Sequence, residues 1–190
     1  MDFYSLATGL EAKTVWGGGF EFEVYLKNRY ATGLAFNGSF NKKIGEHFNY
    51  VIGRPLIDYF EIGWLNHYDL LETNRLLLNM NLNNGLATVS LSDDSIKVSV
   101  ATRYGHTQEP KSIAVNYYYF VEPGTDLLIK LGHEERGGSQ AYLTAKFKYH
   151  FLFGGSKFGT ARQFSNYTFG IGFVVMRRDT RISEKRRHKK

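Results

Sequence analysis

Residues 141–153 read AYLTAKFKYHFLF, and this stretch decides the fold class. All seven odd positions are apolar (Ala141, Leu143, Ala145, Phe147, Tyr149, Phe151, Phe153), while Thr144, Lys146, Lys148 and His150 stand at even ones. A period of two puts successive side chains on opposite faces of an extended chain, so this is a strand with one apolar and one polar face. The pattern continues outward. Tyr167, Phe169, Ile171, Phe173 and Val175 share a face opposite Thr168, Gly170, Gly172 and Val174. Towards the N-terminus, Trp16, Phe20, Phe22, Val24 and Leu26 alternate with Gly17, Gly19, Glu21 and Glu23, and Tyr30, Leu34, Phe36 and Phe40 alternate with Ala31, Gly33, Ala35, Asn37 and Ser39.

Between these stretches lie further candidate strands over 57–68, 75–83, 86–92, 95–104, 112–121 and 125–133. They are separated by turn chemistry at Asn83-Asn84-Gly85, Ser92-Asp93-Asp94, Glu122-Pro123-Gly124 and Gly137-Gly138. The count is about ten. No long helical connection is present that would permit parallel pairing, so the topology is a meander, and closing it removes its unpaired edges. The expected fold is all-β, an antiparallel up-and-down β-barrel of about 8–12 strands that spans a membrane.

The chain has 190 residues with 20 Gly, 3 Pro and no Cys. It makes one barrel domain over 1–176 and a basic, disordered tail over 177–190. An aromatic share of 16% excludes a disordered body, and no apolar run approaches the roughly 18 residues of a spanning helix. The absence of Cys removes disulfides, thiolate zinc sites and cysteine nucleophiles. The tail RRDTRISEKRRHKK carries eight Lys or Arg against Asp179 and Glu184, so the whole net charge of +6 resides there and the body is neutral. Met1 to Leu10 has neither the basic start nor the apolar run of a signal peptide.

Alternation leaves open which face looks inward, and the polar face settles the expectation. It is rich in small residues, which a narrow barrel interior needs, and its charges come in both signs. The expected lumenal network is Glu21, Glu23, Glu61, Arg103, Lys146, Lys148 and His150. The apolar face carries large aromatics near strand ends, and Trp16, Trp64, Tyr117, Tyr119, Tyr149 and Tyr167 are the expected interfacial girdle. A soluble lipocalin-like carrier, with the apolar faces turned inward, is the alternative.

The stretches TVWGGGFEFEVYLKNRYATGLAFNGSF (14–40), YFVEPGTDLLIKLGHEERGGSQAYLTAKFKYHFLF (119–153) and YTFGIGFVVM (167–176) resemble the small outer-membrane β-barrels of Gram-negative bacteria. The resemblance implies an outer-membrane location for a mature chain whose signal has been removed. It also implies lipid and lipopolysaccharide as surroundings, and both termini in the periplasm. Such barrels commonly end on an aromatic residue of the last strand, whereas this chain runs fourteen residues past Met176. They also gather their long loops on one side. With ten strands the connections 42–56 and 154–163 fall on opposite sides, which marks the count as the weak point and residues 3–11 as room for a further strand.

No catalytic motif emerges. Gly17-Gly18-Gly19 lacks the following helix and Lys of a phosphate loop. His67 and His106 stand near Asp69 and Glu109, where loop polarity explains them. His150 evokes a lipid A deacylase, yet neither Lys148 nor Leu152 supplies a serine. His47 and His133 have no second His at metal-binding spacing, so neither metal nor cofactor is expected. The run Tyr117 to Phe120 divides between two faces, which speaks against nucleic-acid stacking. The expected function is a structural, scaffold or narrow-pore component of the envelope, with the 42–56 loop and the tail as places for a protein partner. A lipid-modifying enzyme is the other reading.

Overall fold

The computed structural model describes residues 2–10, 13–27, 29–44, 48–132, 139–155 and 157–177. The basic run from 178 onward, His47, His133 and the Gly137-Gly138 turn lie outside the described residues. Eight strands form the wall: β1 (Asp2–Leu10), β2 (Lys13–Lys27), β3 (Tyr30–Lys43), β4 (Pro55–Glu72), β5 (Leu76–Thr102), β6 (Gly105–Leu131), β7 (Ser139–Phe153) and β8 (Asn166–Arg177). Each is antiparallel to its neighbour, and β1 pairs with β8 to close the barrel. A four-residue helix, α1 (Ala161–Phe164), sits between β7 and β8.

Eight lies within the expected 8–12, and two findings together bring it down from the central count of ten. Residues 2–10 supply a first strand, and two long strands run straight through signals that read as turns. Asn83-Asn84-Gly85 continues β5 because Gly85 serves close approach: a Cβ there would lie 2.1 Å from the Ile62 carbonyl oxygen of β4. Glu122-Pro123-Gly124 continues β6, where the ladder to β7 steps from Val121↔Phe151 to Gly124↔Lys148 and spares Pro123 a donor it lacks. Ser92-Asp93-Asp94 marks register shifts rather than a reversal.

The corrected count also corrects the loops. The connections 43–55, 102–105 and 153–166 now share one end of the barrel, and the turns 27–30, 72–76 and 131–139 share the other with the start of β1 and the end of β8.

From Phe20 the register leads through Phe36, Ile62, Leu86 and Tyr119 to Phe153. In the other direction it leads through Phe3 and Phe173 to Leu143. The two paths meet β7 ten residues apart, at 143 and 153. Eight strands with that stagger tilt by about 40° and leave an interior that side chains fill. Parity then assigns the faces. Phe22, Leu34, Ile62, Trp64, Leu82, Leu86, Phe169 and Ile171 point outward and are exposed, whereas Glu21, Ala35, Asn37, Glu61, Asn83, Glu122, Lys146 and Lys148 are buried inside. An apolar exterior around a polar interior is the inverse of a soluble barrel, and it places this wall in a bilayer.

β5 and β6 each have 27 residues, more than twice the roughly 9–11 that cross a bilayer. β4 leaves β5 at Asp93 and β7 leaves β6 at Tyr119, so beyond the loop end the two strands continue as a ribbon to Thr102↔Gly105. Asp93 anchors its base. The carboxylate accepts from the N–H groups of Gly53 (3.1 Å), Arg54 (3.0 Å) and Ser95 (2.9 Å) and from the Ser95 hydroxyl (2.6 Å). The Ser95 hydroxyl first, then the three backbone donors, hold this carboxyl well below the usual aspartate range.

A lowered value means that the stabilising contribution is complete above the ordinary aspartate pKa of about 4 and disappears only as pH falls through the folded value. Amide exchange at Gly53, Arg54 and Ser95 is therefore expected to show no loss of these bonds between pH 5 and 8. Asp93→Ala is expected to accelerate it at all three positions. Unchanged exchange in the variant would remove Asp93 as the anchor.

Candidate functional site

The interior is organised around β7, whose inward side chains Lys146, Lys148 and His150 face carboxylates from β2, β4 and β6. Alternation inside one strand puts the three bases on one face, and the barrel's curvature brings the acids to them. Lys146 Nζ lies 2.5 Å from Glu21 Oε2 and 3.1 Å from Asp126 Oδ2. Lys148 Nζ lies 2.9 Å from Glu21 Oε1 and 3.2 Å from Glu122 Oε1. His150 Nδ1 is 3.1 Å from Glu122 Oε2 and 3.5 Å from Glu61 Oε2, and its Nε2 is 2.9 Å from the Tyr59 hydroxyl. Tyr59 and the Asn37 amide also hydrogen-bond Glu61. Phe120 stacks on the His150 ring with centroids 5.0 Å apart. The result is one chain of contacts, Glu61–His150–Glu122–Lys148–Glu21–Lys146–Asp126, across four strands.

A second cluster lies towards the turn end. His67 Nδ1 pairs with Glu23, and its Nε2 is 3.5 Å from Asp69 Oδ1. The Tyr25 hydroxyl reaches Asp69 Oδ2 at 3.2 Å. Beside it Leu77, Leu128, Tyr142 and Val174 form a small apolar cluster. At the loop end a larger one closes the barrel: Phe48 and Ile52 from one loop and Phe158 and Phe164 from another pack onto Tyr59, Val89, Tyr118, Phe120 and Leu152 of the wall. The charged layer is thus bounded by apolar side chains above and below. A cleft of about 630 Å³ remains outside this stopper, lined by Phe48, Asn49, Lys157 and residues 158–160 and 163.

Six of the seven residues expected in the lumen stand inside: Glu21, Glu61, Lys146, Lys148 and His150 in the main chain of contacts, and Glu23 in the His67 cluster. Arg103 does not. It lies in the exposed reversal between β5 and β6, far from the lumen, because the ribbon carries position 103 beyond the wall. Of the aromatics, Trp16, Tyr117, Tyr119, Tyr149 and Tyr167 lie on the outer face in the half nearer the loops. Tyr149 packs against Phe151 and Tyr167 with centroids 4.4 and 4.6 Å apart. Trp64 is also outward, but it sits half-way along β4 between Leu34 and Asn84 and so lies at mid-wall.

Glu122, Asp126, Asn37 and Tyr59 are members of the network that sequence reasoning missed. Glu122 was hidden in an apparent turn, and the even-numbered face of 118–128 becomes visible only once β6 is read as continuous. Among the described residues, Glu61, Glu122 and His150 form a group whose ligand atoms lie within 4.8 Å of one another, close enough for a metal ion.

Neisserial surface protein A (NspA) has a solved structure with a TM-score of 0.54 to this chain at 10% identity, covering 93% of this chain and 94% of that one. The fold is that of a small outer-membrane β-barrel. The structure of Ail, the attachment invasion locus protein of Yersinia pestis, aligns with a TM-score of 0.49 at 12% identity over 92% of this chain and 93% of that one; that crystal contained the heparin analogue sucrose octasulfate. Neither a protein-family model nor a curated protein matches the sequence.

Proposed function

We propose that this chain is a non-conducting outer-membrane scaffold whose barrel holds the β5–β6 ribbon and the loops at one face of the membrane. The observation that carries this reading is the stopper. A pore needs a continuous polar path, and here the apolar cluster built on Phe48, Ile52, Phe158 and Phe164 interposes between the charged layer and the loop end. The ion pairs below it fill the remaining width. The ribbon supports display: Ile96, Val98, Val100 and Tyr104 are exposed on it, and strands this long are unnecessary for crossing a bilayer. The loop around Val51 and Arg54 and the ribbon are the surfaces a partner protein would meet, with lipid and lipopolysaccharide around the wall. A soluble carrier would need the opposite orientation of faces. A deacylase would need a serine beside His150, whose polar contacts are Tyr59, Glu61 and Glu122.

Reconstitution into planar bilayers tests the reading. The full chain is expected to give no discrete conductance steps, and replacing residues 97–110 by a two-residue turn is expected to leave folding intact because no wall strand pairs with that segment beyond β5 and β6 themselves. Regular single-channel steps from the full chain would overturn the scaffold and favour a narrow pore.

A further inference from the structure

We propose that Glu61, Glu122 and His150 bind one first-row divalent cation inside the barrel. The ligand atoms are Glu61 Oε2, Glu122 Oε2 and His150 Nδ1. The nitrogen stands 3.1 and 3.5 Å from the two oxygens. Two ligands about 2.0–2.1 Å from a tetrahedral centre are separated by roughly 3.3 Å, so these spacings bracket what such an ion requires. Two carboxylates with one imidazole are the donor set of zinc and its neighbours rather than of calcium, which takes oxygen alone.

One further observation points to a ligand. Asn83, fully buried, faces Glu122 directly across the β5–β6 register with Nδ2 3.5 Å from Glu122 Oε1, and its Oδ1 has no hydrogen-bond partner. Gly63 leaves the space this amide occupies, since a Cβ there would lie 2.2 Å from Asn83 Oδ1. The Asn83 oxygen is thus a buried acceptor beside Glu122 that no described hydrogen bond uses.

The surroundings are those of a supported site. The Tyr59 hydroxyl meets His150 Nε2, Tyr59 and Asn37 hold Glu61, and Lys148 holds the Glu122 oxygen that faces away from the imidazole. The three ligands come from β4, β7 and β6, so the site exists only in the closed barrel.

The test uses the full chain refolded in detergent with Zn2+ present, because the stoppers close over the lumen once it is folded. After removal of free metal, elemental analysis is expected to find about one zinc per barrel. Co2+ in its place is expected to give the visible absorption of a tetrahedral nitrogen and oxygen site. Glu61→Gln and His150→Gln are expected to lower retention at least tenfold, while His67→Gln, in the other cluster, keeps it. Tyr59→Phe leaves all three ligands in place and is expected to weaken binding about tenfold, which preserves the test if the ligand variants do not fold. Heat-dependent gel mobility verifies folding of each. Folded full chain that retains no metal would overturn the proposal. Equal retention by Glu61→Gln and His150→Gln and the unaltered chain would overturn it as well.

Discussion

Lys148→Met is expected to destabilise the barrel by about 3–5 kcal/mol, because it removes the buried cation that Glu21 and Glu122 share and leaves Glu21 with Lys146 and Glu122 with His150. Lys148 is buried at 2% exposure, so water cannot take over from the ammonium without opening the lumen. Urea unfolding in lipid vesicles reads the loss. Adding Glu21→Gln to the same chain is expected to return part of it, since an amide beside the uncharged thioether strands less charge than a carboxylate. The summed single losses should therefore exceed the loss of the double variant by about 0.5–3 kcal/mol. A single loss under about 1 kcal/mol, or strict additivity, would mean that the network is not a coupled unit.

Leu34→Arg is expected to cost about 2–4 kcal/mol, read by the same unfolding experiment. Leu34 pairs with Phe22 on one side and Trp64 on the other, all three outward and apolar, and it lies at mid-wall. A guanidinium there must be carried to the lipid centre or bend towards an interface. Tyr104→Arg, at the exposed reversal of the ribbon, is the control, and its effect is expected to stay within about 0.5 kcal/mol. Equal effects at the two positions would mean that Leu34 faces water and that the faces are assigned the wrong way round.

The face assignment was legible because alternation is a local property. Lys146, Lys148 and His150 share a side of any strand that contains them, and small residues opposite large ones already mark the narrow interior. The strand count was not legible, because the turn signals at 83–85 and 122–124 serve other ends. Gly85 lets β5 approach β4, and Pro123 occupies a gap in the β6–β7 ladder. Both mean something only relative to a neighbouring strand that the linear sequence does not identify. The same misreading concealed Glu122, and with it the reason Lys148 and His150 sit where they do. Arg103 fails for a different reason: its parity is that of a lumen residue, but parity says nothing of height, and the ribbon lifts it clear of the wall.

The barrel presents an apolar outside to the membrane and keeps a charged, stoppered inside. Gel mobility of the full chain, boiled and unboiled, after refolding in detergent and in buffer alone tests it most directly. A heat-dependent shift that requires detergent is expected, with no folded species in buffer. A monodisperse, β-rich protein in buffer alone would contradict it and turn the outward apolar belt into the lining of a soluble cavity.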